Sequence, residues 1–460
     1  MKIFRTKPIN ADAYCDTGLR RCLSAFDLTL LGIGAIIGAG IFVLTGIAAA
    51  THAGPAIVLS FVVAGLACAF AALSYAELAA AVGGCGSAYG YAYAGLGELL
   101  AWIIGWDLLL EYGVATAAVA IGWSGYVNNA LTAMGLALPV ALIKTPLEGG
   151  IVNLPALLIV LTLSVVLAIG VHYSARFNAV MVLIKLVAIG VFVAVAAFHV
   201  NPANWHPFMP FGWEGVMGGG ALIFFAYIGF DAVSTAAEEA INPPRDLPIG
   251  ILASLAVCTV IYIVVAGLLT GVVPYYTLNV PSPVADALLR LGQRGASAFV
   301  AAGAIAGLTT VMLVLYYGLT RVFLAMSRDG LLPPVFSAIN AHTRTPIRVI
   351  IASGVLIAAI AGFTPINDVA ELVNIGTLAA FVMVCAGVLV RRYTRPDMPR
   401  PFRTPFSPVI PLLGIAFCVY LMLSLPWITW LRFIVWLAIG FVVYFVYSRK
   451  HSALATESGS

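Results

Sequence analysis

The most constraining feature of the sequence is a succession of long apolar stretches separated by short polar, charged or proline-rich breaks. Hydrophobic residues make up 62% of the chain and charged residues only 9%, which excludes a soluble globule and a disordered or fibrous chain. About 20 apolar residues suffice to cross a bilayer as a helix. We therefore predict an all-α, polytopic membrane protein with twelve spans, at 24–50, 55–81, 98–132, 154–171, 177–199, 214–238, 249–273, 298–325, 347–363, 368–390, 408–424 and 427–447.

The basic residues predict how these spans are oriented. An even number of spans returns both termini to one side, and Lys and Arg are enriched on the cytoplasmic side of membrane proteins. With a cytoplasmic amino terminus, 18 of the 23 Lys and Arg residues lie on the cytoplasmic side and Lys185 lies within the membrane. The outer side has only four: Lys144, Arg290, Arg294 and Arg432. We therefore predict cytoplasmic tails at 1–23 and 448–460 and a protein of the cytoplasmic (inner or plasma) membrane.

Two spans contain a point at which the helix is expected to break. The first span has four glycines within residues 32–40, and each glycine weakens a helix by about 1 kcal/mol relative to alanine. The sixth span is apolar up to Gly229 and then turns polar at mid-depth. Interrupted helices at corresponding positions of two halves are typical of secondary transporters. The alternative reading of the glycines is close packing of membrane helices, which also uses small residues.

Breaks at these two points would free backbone groups that need partners inside the membrane. The amides at the start of the second half of span 1 suit a carboxylate, because a helix amino terminus carries partial positive charge. Carbonyls at the ends of the first halves suit an ammonium group, so an α-amino acid matches both. The groups concerned are the amides of Gly38, Ala39 and Gly40 and the carbonyls of Ile36 or Ile37, Phe225, Ala226 and Ile228.

Five motifs are the basis of a family resemblance. They are IIGAGIF in span 1, SAYGYAY at 87–93, FFAYIGFDAVSTAAEE at 224–239, NPPRDLP at 242–248 and RVFLAMSRDGLLP at 321–333. In these motifs the chain resembles the amino acid–polyamine–organocation (APC) superfamily, and most closely the bacterial relatives of the cationic amino acid transporters.

The resemblance implies a five-plus-five inverted-repeat fold with broken helices 1 and 6. The ten-helix core then covers 24–390, with repeats at 24–199 and 214–390, and helices 11 and 12 follow at 408–447. It further implies that Gly38 to Gly40 hold the substrate carboxylate and that Phe230 is an aromatic gate over the occupied site. The alternative for Phe230 is an ordinary packed aromatic side chain.

Lys185 is the clearest ionisable residue inside a span, where a charge is costly and is a functional candidate by default. A lysine at this depth can gain and lose a proton during a transport cycle. By the family resemblance, a lysine at this place occupies the site where sodium-coupled relatives bind Na⁺, which points to proton coupling. Its expected partners are a carbonyl near Gly34 and the hydroxyls of Thr309 or Thr310; the alternative is a permanently charged strut between spans 5 and 1.

Three carboxylates also fall inside spans. Asp107 and Glu111 are four residues apart and share a helical face, but no nucleophile or metal ligand accompanies them. We interpret Glu111 as a structural or coupling carboxylate, with recognition of a cationic side chain as a weaker option. Asp231 follows the span 6 break and is expected to cap the helix that begins there.

The substrate side chain should face spans 3, 6 and 8. Thr309, Met312 and Leu315 are the candidates in span 8. By the resemblance, Leu315 stands where the animal cationic transporters have a small polar residue, and a larger apolar side chain there would shorten the pocket. We therefore favour small neutral L-amino acids such as alanine, with arginine or lysine as the alternative.

The leading hypothesis is an amino acid importer that works by alternating access and is driven by the proton gradient, with no other cofactor. An obligate exchanger and a membrane amino acid sensor remain open. A channel would need a continuous polar pore and an enzyme a clustered catalytic set, and the sequence has neither, so we predict no enzyme activity. The seven cysteines form no CxxC pair, and we expect no metal site or nucleic-acid partner. Membrane lipid is an expected partner; a small accessory membrane peptide is not inferable from the sequence.

Overall fold

The computed structural model describes residues 23–82, 88–95, 97–170, 175–340, 342–343, 345–394, 396 and 399–454. The predicted amino-terminal tail, apart from Leu23, lies outside these residues. So do residue 87 of the SAYGYAY motif and residues 455–460 of the predicted carboxyl-terminal tail.

The described residues form helices with no β-strand among them. The α-helices are α1 (Ala25–Ile36), α2 (Thr45–Ala48), α3 (Ile57–Val82), α4 (Ala88–Gly95), α5 (Glu98–Ala133), α6 (Leu154–Ile169), α7 (Ala175–Ala197), α8 (Gly212–Ile223), α9 (Pro243–Val272), α10 (Pro283–Arg290), α11 (Arg294–Arg328), α12 (Ile347–Phe363), α13 (Ile366–Thr394), α14 (Val409–Leu423), α15 (Trp427–Val443) and α16 (Arg449–His451). Two π-helical segments, Gly40–Leu44 and Ala49–Ala53, flank α2, and a third, Tyr444–Ser448, joins α15 to α16.

Many of these helices have the length and composition of membrane spans. Eight helical stretches are long and apolar enough to cross a bilayer, and four shorter apolar helices accompany them: α1, α6, α12 and α14. The two longest helices, α5 and α11, pack against each other at the centre of the bundle, and α9 packs against both α1 and α3. The chain is therefore an all-helical, polytopic membrane protein.

The largest difference from the predicted boundaries is at the start of α9. The prolines of NPPRDLP suggest a loop that ends near residue 249, but the helix already begins at Pro243 and contains Pro248. Pro243 and Pro244 are tolerated because they lie in the first turn, where the N–H groups have no intrahelical partner. The short helices α4 and α10 were not among the predicted elements; neither is long enough to span a membrane.

The start of the first interrupted helix is joined by hydrogen bonds to the end of the second. Ser24 caps α1 and exchanges hydrogen bonds with Asp27. Just before it, the Leu23 amide donates to the Glu239 carbonyl, and the Ile241 amide donates to the Leu23 carbonyl, both at 2.9 Å. These two backbone bonds hold the chain before α1 against the chain after residue 239.

Two buried glutamates fix other helices at this end. Glu77, near the end of α3, accepts two hydrogen bonds from the Arg392 guanidinium of α13, at 3.1 and 2.6 Å. Glu98, at the start of α5, accepts hydrogen bonds from the hydroxyls of Tyr444 and Ser452, at 3.1 and 2.6 Å. A buried carboxylate is stable only with such partners, so these contacts anchor α13 and the chain after α15 to the central helices.

Candidate functional site: two helix breaks around a small cavity

The first break interrupts the chain between α1 and the segment that contains α2. The α-helix ends at Ile36, and Ile37 adopts an extended conformation with φ −72° and ψ 97°. Helical structure resumes at Gly40 as a π-helical turn. The glycine-rich stretch predicted to break therefore does so, and the carbonyls before it and the amides after it leave the regular helical pattern.

The second break follows α8. The helix tightens into a 3₁₀ turn at Phe224–Tyr227, Ile228 is extended, and Gly229 has a positive φ of 112°. The chain then continues as a 3₁₀ helix over Phe230–Glu239. The N-cap position of this helix is Gly229, without a side-chain cap bond, and Asp231 lies two residues further on, in the first turn.

The two breaks are in direct contact with each other. A Cβ added to Gly40 would lie 2.2 Å from the Ala226 Cα, and one added to Gly229 would lie 3.0 Å from the Ala35 carbonyl. The Tyr262 hydroxyl of α9 approaches the carbonyl oxygens of Ile36 and Ala226, each at 2.9 Å. Sequence reasoning missed Tyr262, although a tyrosine inside an apolar span needs a partner for its hydroxyl.

A small cavity of about 10 Å³ lies between the breaks and the helices α5 and α11. That volume is about the space of one water molecule. Seven of the ten predicted substrate-binding residues line it: Ile36, Gly38, Ala39, Gly40, Phe225, Ile228 and Leu315. The remaining lining residues are Ala35, Ala115, Val119 and Val311, so every lining side chain is uncharged and apolar.

Three predicted binding residues lie near the cavity without lining it: Ile37, Ala226 and Phe230. Phe230 is buried, with its ring centroid 5.1 Å from that of Phe381 and 6.2 Å from that of Tyr75. It is packed between these two rings in this arrangement of the helices.

The face that α11 turns towards the cavity agrees with the prediction at Leu315 and differs from it at the other two positions. Val311 and Leu315, four residues apart, line the cavity, whereas Thr309 and Met312 do not. Residues four apart share one face of a helix. The corresponding pair on α5 is Ala115 and Val119. This spacing is the signal that could have identified Val311, Ala115 and Val119 from the sequence once one member of each pair was known.

Lys185 of α7 lies fully inside the bundle, with 1% of its surface exposed. Its ammonium donates to the Gly34 carbonyl of α1 at 2.7 Å, which is the carbonyl contact that the sequence suggests. The lysine stem lies on Gly307 of α11, because a Cβ there would be 2.8 Å from the Lys185 Cγ. Lys185 therefore links α7 with α1, just before the first break, and with α11.

The two threonines proposed as partners of Lys185 have other hydrogen bonds. Thr309 donates to the Ile305 carbonyl at 2.8 Å and accepts from the Trp123 indole at 3.0 Å. Thr310 donates to the Gly307 carbonyl at 2.8 Å. Thr310 lies three residues after Gly307, which carries the lysine stem, so these two residues share one face of α11.

The three carboxylates that the sequence places inside spans are buried in the bundle. Asp231 accepts a hydrogen bond from the Tyr112 hydroxyl at 2.9 Å, whereas Glu111 Oε1 and both carboxyl oxygens of Asp107 have no hydrogen-bond partner among the described residues. None of the three lines the cavity. Within the part of the chain that is described, no group of His, Cys, Asp and Glu is arranged to hold a metal ion.

Comparison with known proteins identifies the family. A family model described as "Amino acid permease" matches residues 23–456, nearly the whole chain. The chain belongs to the amino acid permease family of the APC superfamily. The resemblance noted in the sequence is thereby confirmed.

Three relatives show which proteins the permease is similar to. It is 51% identical over 460 residues to the branched-chain amino acid permease BcaP of Bacillus subtilis, covering 98% of this chain and 99% of that one. It is 50% identical over 456 residues to the methylthioribose transporter of the same organism, with the same coverage. It is 39% identical to the human cationic amino acid transporter 4, covering 86% of the permease and 64% of that longer protein.

These relatives are transporters, and the family consists of permeases, which fits a protein that is not an enzyme. Their names also differ in substrate: branched-chain amino acids, methylthioribose and cationic amino acids. Membership of the family therefore leaves the substrate of this permease to be argued from the cavity.

Proposed function

We propose that the permease is a secondary active transporter that couples the import of a neutral L-amino acid to protons by alternating access. Twelve spans, with inverted repeats at 24–199 and 214–390 and two further helices at 408–447, belong to this proposal. The single observation that carries it is the contact between two interrupted helices around one cavity, because paired breaks of this kind form substrate sites in secondary transporters.

The two charged groups of an amino acid account for the chemistry of the breaks. The amides of Gly38, Ala39 and Gly40 would receive the carboxylate, since helical structure resumes at Gly40. The carbonyls that precede each break would receive the ammonium. A cavity of about 10 Å³ is far smaller than an amino acid, so the breaks must separate to admit one. Phe230, two residues beyond Ile228, is the proposed aromatic gate for that movement.

The walls of the cavity support a neutral side chain. Ala115 and Val119 of α5 and Val311 and Leu315 of α11 offer only apolar surface, which gives no compensation for a buried guanidinium or ammonium. Alanine, whose side chain is a single methyl group, fits this chemistry. Branched-chain amino acids are the second candidate, favoured by the 51% identity to BcaP and by the same apolar walls.

Proton coupling is assigned in this proposal to Lys185. Its ammonium contacts the last turn of α1 before the first break, so a change in its charge would alter the position of that turn. Thr309 and Thr310 are its proposed hydroxyl partners in another state of the transport cycle. Glu111 remains a possible coupling or structural carboxylate. We place the protein in the cytoplasmic membrane with both termini inside, on the distribution of Lys and Arg.

Uptake into proteoliposomes with an imposed pH gradient, inside alkaline, tests the function. We expect labelled alanine to enter faster with the gradient than without it, and leucine or isoleucine to compete. Arginine and methylthioribose should compete poorly, because arginine carries a charge into apolar walls and methylthioribose has neither an ammonium nor a carboxylate. Uptake of arginine with no entry of or competition by alanine would contradict the substrate assignment. If uptake occurs only when amino acid has been loaded inside the vesicles, the protein is an exchanger. If it binds amino acid but transports none, it is a sensor.

Lys185→Ala tests the coupling residue. We expect the variant to lose stimulation by the pH gradient while it still binds alanine, because the titratable group is gone and the cavity walls remain. Leu183→Ala is the matched control: it shortens a side chain of the same helix that is 61% exposed on the outside of the bundle. A Lys185→Ala protein whose response to the gradient equals that of Leu183→Ala would rule out the coupling role.

A further inference from the structure

The Tyr262 hydroxyl joins the two helix breaks. It lies 2.9 Å from the Ile36 carbonyl oxygen, at the end of α1, and 2.9 Å from the Ala226 carbonyl oxygen, just before the second break. Both distances are those of a hydrogen bond. These carbonyls are among the groups that the proposed function gives to the substrate ammonium.

The tyrosine ring is fixed in its place. Tyr262 is fully buried, and its ring packs against those of Phe61 and Tyr227, with centroids 5.4 and 5.6 Å away. Tyr227 is itself held, since its hydroxyl donates to the Phe61 carbonyl at 2.9 Å. The position of the Tyr262 hydroxyl between the breaks is therefore set by the packing of α9 and α3.

One hydroxyl cannot donate fully to two carbonyls. A tyrosine has a single O–H hydrogen, whereas an ammonium group has three N–H donors. At any moment, therefore, one of the two carbonyl oxygens receives no hydrogen bond from Tyr262. A buried carbonyl without a donor is unfavourable, so the pair of carbonyls has room for one further donor.

We propose that Tyr262 is a positioning residue: its hydroxyl holds the two breaks together when the site is contracted, and the substrate ammonium replaces it at one of the two carbonyls. The inference rests on the proposed function. The Tyr262 hydroxyl then stabilises the unloaded protein more than the loaded one, because the ammonium of the bound amino acid donates hydrogen bonds to the same carbonyls.

This difference between the loaded and unloaded protein has a measurable consequence. In net uptake, the empty protein must turn its site from the inner to the outer side of the membrane, and it does so with the site contracted. Exchange of amino acid inside for amino acid outside does not include this step. Loss of the Tyr262 hydroxyl should therefore slow net uptake more than exchange. For one buried carbonyl left without a donor, we expect a fall of about tenfold in net uptake and of less than about threefold in exchange.

The experiment compares Tyr262→Phe with Tyr316→Phe in proteoliposomes, using labelled alanine for both net uptake and exchange. Each variant keeps its ring and loses one fully buried hydroxyl that contacts a backbone carbonyl, but the hydroxyl of Tyr316, on α11, donates to the Ile350 carbonyl of α12 and touches neither break. We expect the ratio of net uptake to exchange to fall only in Tyr262→Phe. In detergent, alanine should raise the melting temperature of Tyr262→Phe more than that of the wild type.

An equal fall of both rates in Tyr262→Phe, or no fall in either, would overturn the inference. The proposed function fails separately, if the wild type itself takes up no neutral amino acid. If Tyr262→Phe can be isolated only when alanine is present throughout purification, while Tyr316→Phe needs no alanine, the inference is supported. Loss of Tyr262→Phe under both conditions is the outcome of a purely structural hydroxyl and counts against it.

Discussion

The two helix breaks use glycine for different physical reasons. In the first break, Gly40 has ordinary helical surroundings in its own chain, but a Cβ there would lie 2.2 Å from the Ala226 Cα. In the second break, Gly229 has a φ of 112°, a conformation that residues with a Cβ rarely adopt. The first glycine is needed because another backbone is very close, and the second mainly because its own backbone is unusual, although the Ala35 carbonyl also lies 3.0 Å from where its Cβ would be.

The difference shows how the site is divided between its two halves. The second break has its shape built into the local conformation at Ile228 and Gly229. The first break depends on what lies against it, namely Ala226 at Gly40 and the Tyr262 hydroxyl at the Ile36 carbonyl. We therefore expect substitutions in the first break to disturb the contact between the halves and those in the second to disturb local backbone geometry.

The largest effect is expected for Gly40→Ala. The added methyl group would overlap main-chain atoms of Ala226, which cannot turn aside as a flexible side chain can. Overpacking of this kind costs about 1–3 kcal/mol, and it would force the two breaks apart. We expect a lower melting temperature in detergent and uptake of alanine reduced by more than tenfold, an estimate from the same energy range.

Two controls separate this contact from the general effect of a methyl group. Gly190→Ala adds one on α7 where no atom lies within 4 Å, and it should leave melting and uptake nearly unchanged or slightly improve stability. Ala226→Gly in the Gly40→Ala background should not restore uptake, because the Ala226 Cα stays in place. Full rescue by that second substitution would contradict the main-chain contact.

A smaller but still clear effect is expected for Gly229→Ala. A non-glycine residue in the left-handed region costs about 1–2 kcal/mol, and the methyl group would be 3.0 Å from the Ala35 carbonyl. Gly212→Ala is the matched control, since Gly212 also has a positive φ, of 64°, with nothing within 4 Å. We expect both variants to melt at lower temperature but only Gly229→Ala to lose uptake. Equal uptake in the two would show that the second break tolerates an altered backbone.

The sequence was sufficient to predict where the breaks fall, because glycine density and the polar change after Gly229 are local features. The family resemblance at Lys185 also led to the prediction of a carbonyl near Gly34 as its partner, and the structure shows that contact. The sequence could not distinguish the reasons for the glycines. Those depend on Ala226 and on a backbone angle, which no local composition encodes.

The helix face that reaches the cavity was harder to predict. Leu315 was predicted and lines the cavity, but its partner there is Val311 in place of the predicted Thr309 and Met312. The apolar sequence of α11 does not specify which of its faces turns to the cavity. Tyr262 was missed for a related reason: its two acceptors are main-chain carbonyls of distant segments. Every residue type has a main-chain carbonyl, so the sequence does not mark which carbonyls accept from the Tyr262 hydroxyl.

The smallest effect on stability, and the most selective one on transport, is expected for Gly38→Ala. A Cβ there would lie 3.4 Å from both methyl carbons of Val311, which is close to ordinary contact, so we expect the melting temperature to stay near that of the wild type. The methyl group would nevertheless take space between Gly38 and Val311, both of which line the cavity. Uptake of leucine should therefore fall more than uptake of alanine, and Val311→Ala in the same protein should restore leucine by returning that space. A loss of stability as large as that of Gly40→Ala would mean that the first break is held by close contacts along its whole length and not at Gly40 alone.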